Sequence, residues 1–135
     1  MNADSADVEP EQVVPDYWRA TELMVVIHLA HLGADEPDAR AIAENIFERC
    51  AHIPAAFADK IPDSVFDGLS VLVTDMVTAA QRLFAARTGR MPGQFLSDWP
   101  PTPIAFDHPM LIDLRRVISQ IEAEANEAEG GRRMN

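Results

Sequence analysis

The chain has 135 residues, 47% of them hydrophobic, and carries 22 acidic against 11 basic side chains for a formal charge of −11. That length and apolar content suit one globular domain with a single core and exclude a fully disordered chain. The charge opposes contact with nucleic-acid phosphates and anionic membranes and favours basic protein surfaces. The imbalance sits in the first half: residues 1–62 hold 12 acids and 4 bases, a net of −8.

Residues 1–14 contain Asp4, Asp7, Glu9 and Glu11 with no base and little to bury, so they read as a disordered acidic tail. They lack the basic and apolar stretches of a secretory signal, and the expected compartment is the cytoplasm. A first helix is predicted over about 16–32, with Asp16 as N-cap and Gly33 just past its end. From Leu23 to Leu32 its sequence, LMVVIHLAHL, is apolar nearly all round, which predicts burial on more than one side.

A second helix is predicted over about 36–52. The run Asp35-Glu36-Pro37-Asp38 supplies a cap, a first-turn proline and acids at the positive end of the helix dipole. Ala39, Ile42, Ala43, Ile46, Phe47 and Cys50 recur at helical spacing and should face inward, and the helix should stop before Pro54. A short turn of helix is expected around Ala55 to Ala58.

The third helix is predicted over about 64–88, closed by Gly89. Val65, Leu69, Leu72, Met76, Ala80 and Leu83 form one stripe, with Phe66, Val73, Val77 and Phe84 beside it. A narrow polar line through Asp67, Thr74, Thr78 and Gln81 remains, so this helix belongs at the centre. Residues 90–106 are interrupted by Pro92, Pro100, Pro101 and Pro103 and cannot be helical throughout. A last helix is predicted over about 108–128, starting at Asp107 with Pro109 in its first turn and turning Met110, Leu114, Val117, Ile118 and Ile121 inward. Gly130 and Gly131 should end it. The expected fold class is all-α: one domain of four main helices over 15–129, an irregular proline-rich segment before the last helix, and a flexible tail over 130–135.

The chemistry-bearing residues are sparse. His28 and His31 share a helical face and His52 lies near Cys50, but there is no Glu-x-x-His or His-Glu-x-x-His pattern, and no metal or cofactor is expected. Helix-buried histidines satisfied by backbone carbonyls account for them. Cys50, the only cysteine, falls on the inward stripe and reads as a small hydrophobe. Ser64 and Ser70 sit in no nucleophile motif and there is no phosphate loop, so no catalytic residue is assigned and the expectation is that the chain is not an enzyme. A helix-turn-helix through Gly33 would place Asp35, Glu36, Asp38, Glu44 and Glu48 on the recognition helix, which rejects a DNA groove. Arg82, Arg87 and Arg90 complement the negative end of the third helix.

The remaining reading is a small acidic protein that binds another protein, with a basic surface on that partner. It would act as an inhibitor or nucleic-acid mimic, or as an adaptor or assembly subunit. The candidate contact residues are the carboxylates Asp35, Glu36, Asp38, Glu44 and Glu48 and the apolar anchors Phe95, Leu96, Trp99, Ile104 and Phe106. Those anchors would otherwise strap the bundle against Tyr17 and Trp18. The alternatives are a bundle holding a small ligand or metal near His28 and His31, and a homodimer that buries the first helix, where Ile112 also lies beside a polar face.

Overall fold

The computed structural model describes residues 15–56, 61–94 and 108–134. Among these it contains helices and no strand. The helices are α1 (Asp16–His31), α2 (Glu36–Arg49), the single turn α3 (His52–Ala56), α4 (Asp63–Thr88) and α5 (Pro109–Met134). The chain is an all-α bundle of four main helices.

Two helices start in the same way, and at the first the cap differs from expectation. Pro15, not Asp16, occupies the cap of α1: its carbonyl accepts the N–H groups of Trp18 (3.0 Å) and Arg19 (3.1 Å). Pro62 does the same for Val65 (3.0 Å) and Phe66 (3.1 Å) at the head of α4. A proline here sets the extended backbone that feeds the helix and has no N–H to leave unbonded. Asp16 and Asp63 then sit in the first turn, where a carboxylate meets the positive end of the dipole. At α5 the cap is His108, whose carbonyl accepts Leu111 N–H (2.9 Å) and Ile112 N–H (3.1 Å) and whose Nδ1 accepts Met110 N–H (3.1 Å).

The ends are set by glycine, with one exception. Gly33 (φ +87°) closes α1 in a Schellman turn: Ala34 N–H reaches Leu29 O (3.1 Å) and Gly33 N–H reaches Ala30 O (3.0 Å). Gly89 (φ +77°) closes α4 through a 2.8 Å bond to Ala85 O. The helix stop expected at Gly130 and Gly131 does not occur, since α5 continues to Met134. Neither glycine adopts positive φ, and a helical glycine costs only about 1 kcal/mol relative to alanine. The second predicted helix ends at Arg49 instead of 52, and Cys50 and Ala51 turn the chain into α3.

α4 is the centre. Leu69, Leu72, Val73, Met76, Val77 and Leu83 are all buried, and every other main helix packs on it, α5 most extensively. By length and composition α4 is also the one described helix apolar enough to cross a membrane, with 56% of the apolar stretch buried within the bundle. A central core helix needs that same composition. α2 runs antiparallel to α4, because Asp38 meets Arg90 at one end and Cys50 Sγ lies 3.8 Å from Met76 Sδ nearer the other. α5 runs parallel to α4: Arg115 acts electrostatically on Asp75, while Arg82 binds Asn126 and Glu129 a few turns further along both helices. Parallel neighbours cannot be joined by a tight turn, and the long link between Thr88 and Pro109 is what this arrangement requires.

Residues 92–94 are clamped onto the α1–α2 turn. Gln94 N–H donates to Leu32 O (2.8 Å), a carbonyl left open by the Schellman turn. Gln81, fully buried on α4, donates from Nε2 to Pro92 O (3.2 Å) and Gln94 O (3.1 Å). One polar residue of the central helix thereby fixes where the crossover begins.

Candidate docking face

α1 is apolar on two sides, and among the described residues only one is covered. Val25 and Leu29 are fully buried against the bundle. On the other side Leu23, Val26 and Ile27 are 58%, 45% and 54% exposed, with exposed Ala30 continuing the stripe at i, i+3, i+4, i+7 spacing. Among the described residues nothing covers this second side, so the burial expected on more than one side is not met there. Single exposed hydrophobics are ordinary; a contiguous apolar stripe on one helix is the pattern of an interaction surface.

Beside the stripe runs a groove of about 330 Å³ between α1 and α2, lined by Val26, Ala39, Ala43 and Phe47, with Glu36, Arg40 and Glu44 along its α2 edge. Helical spacing carries that edge on to exposed Glu48, and exposed Asp35 stands at the head of α2. Four of the five predicted carboxylates thus lie together along the outer side of α2. Asp38 does not join them, because its carboxylate is drawn to Arg90, which itself lies over the Phe84 ring at 5.5 Å from its centroid. The predicted anchors Phe95, Leu96, Trp99, Ile104 and Phe106 lie outside the described residues.

The arginines explain why the α2 edge stays negative. Arg49 forks onto Glu124 with bonds of 2.9 and 2.7 Å, Arg87 reaches the same carboxylate at 3.0 Å, and Arg82 holds Glu129 with bonds of 3.2 and 2.8 Å. These cations tie α2 and α4 to α5. Sequence reasoning placed Arg82, Arg87 and Arg90 at a helix end but missed these partners, which lie 37 to 52 residues away in the chain. On the α2 edge only Arg40 offers a positive charge, in an exposed 3.6 Å pair with Glu36 that screening makes weak. Among the described residues no cation lies within ion-pair distance of Asp35, Glu44 or Glu48.

Most of the other candidates lie apart from this face. His28 is turned inward, with Nδ1 2.7 Å from Met24 O and Nε2 3.4 Å from Thr74 Oγ1, while His31 is exposed. No three His, Cys, Asp or Glu side chains gather into a metal-binding group among the described residues. A second cleft, between α2 and the end of α4 and lined by Ile42, Leu83, Phe84 and Arg87, holds about 140 Å³. Pockets for ordinary small ligands start at about 300 Å³. Cys50 is fully buried, and desolvation pushes its thiol up to about 12 against the pull of neighbouring Arg49. The thiol should therefore stay unmodified by a thiolate-selective reagent at neutral pH in the folded protein and react at once in denaturant. Fast modification of the native protein would show that the α2–α4 interface opens.

The fold and the face together define a small helical bundle with an acid-edged apolar surface. Comparison with known proteins finds no family model, curated protein or solved structure that matches the chain.

Proposed function

We propose that this chain works by protein–protein contact, as a small acidic cytoplasmic protein whose α2 edge addresses a basic surface on its partner. The observation that carries the reading is the set Glu36, Glu44 and Glu48, exposed along α2 with Asp35 exposed at its head, while Arg49, Arg82 and Arg87 are engaged with α5 and only Arg40 stands beside the row. A row of carboxylates opposed by the single exposed cation of Arg40, in a chain of −11, steers a cationic surface toward itself and raises the encounter rate. Occupying a basic groove in this way is the action of an inhibitor or nucleic-acid mimic; recruiting a basic protein is the action of an adaptor.

The test is capture of partners from the native lysate at low salt by untagged protein, compared with Glu44→Lys/Glu48→Lys. Both positions are exposed, so the variant should melt as the wild type does. The expected result is a stoichiometric partner that is released as salt rises and is lost in the variant. Capture that is indifferent to both salt and charge reversal would overturn the reading.

A further inference from the structure

We draw no further inference here: the strongest candidate, the apolar groove between α1 and α2 with the exposed stripe of Leu23, Val26 and Ile27 beside it, carries none, because Glu36 and Glu44 on its rim set charge against a second copy of this chain and nothing among the described residues shows what covers it.

Discussion

Gly93→Ala should be among the most damaging single substitutions in this protein, although it adds one methyl group. Gly93 has φ +85°, a region where an L side chain costs about 1 kcal/mol. A Cβ there would also lie 2.6 Å from Leu32 O and 2.7 Å from Ala34 N. Both neighbours are backbone, so neither can swing aside; residues 92–94 must lift from the α1–α2 turn. That movement breaks the Gln94 N–H bond to Leu32 O and pulls Pro92 O and Gln94 O from the buried Gln81 amide. Desolvated groups left without partners make the total about 3–4 kcal/mol, a fall in Tm of roughly 10–15 °C for a domain of this size. Gly33→Ala is the matched control. Its φ is +87°, yet a Cβ there meets nothing within 4 Å, so it should cost only the conformational term, about 1 kcal/mol. Thermal melts of the two variants separate close approach from backbone conformation. Equal losses would mean that the clamp of residues 92–94 on the turn contributes nothing. Since the same turn sets α1 beside α2, Gly93→Ala should also loosen the groove.

The fold was legible because its punctuation is local. Each Pro-Asp start, the Asp35–Asp38 run and the closing glycines Gly33 and Gly89 act through residues within one turn, and the 3.6-residue stripes name the core directly. Errors arose where two local signals compete. Pro15 took the cap from Asp16 because its carbonyl is the one that meets the first helical N–H groups. Gly130 and Gly131 read as a stop, but without positive φ they continue the helix at a modest cost. The candidate face was only half legible. Acids at Glu36, Glu44 and Glu48 follow from i, i+8 and i+12 spacing, with Arg40 at i+4. Asp38 sits in the same run, but Arg90 claims it from the far end of α4, and nothing in local sequence predicts a partner 52 residues away. The same holds for the bare side of α1. Its apolarity is plain in the sequence, but which side is covered depends on where α4 lies.

Those long-range ion pairs make a second prediction, in pH. Arg49 is largely buried, with 14% of its side chain exposed against 30% for Glu124, and its Nε is held by Asn45 Oδ1 at 2.8 Å. Hydrogen bonds from Arg49 hold the Glu124 carboxyl below the usual carboxylate range, with the charges of Arg49 and Arg87 adding to the effect. A carboxyl depressed in the folded state stabilises the fold above its unfolded pKa, about 4.3, and that contribution is lost as pH falls through the folded value. Glu124→Gln keeps the shape but turns an amide N–H₂ toward guanidinium donors. At neutral pH it should cost about 1–2 kcal/mol, discounted for partial exposure. Asp75 acts in the opposite sense: burial raises its carboxyl against the pull of Arg115, so protonating it favours the folded state as pH falls. Asp75 is present in both proteins, so it cancels from the difference between wild type and Glu124→Gln. Denaturant unfolding of the pair should therefore show a constant gap from neutral pH down to about pH 5 that closes below about pH 4. A gap that persists at low pH would mean that the amide's shape, and not the lost charge, weakens the junction. No gap at any pH would mean that Asn45 and solvent hold Arg49 without Glu124, and that packing alone joins α2 to α5.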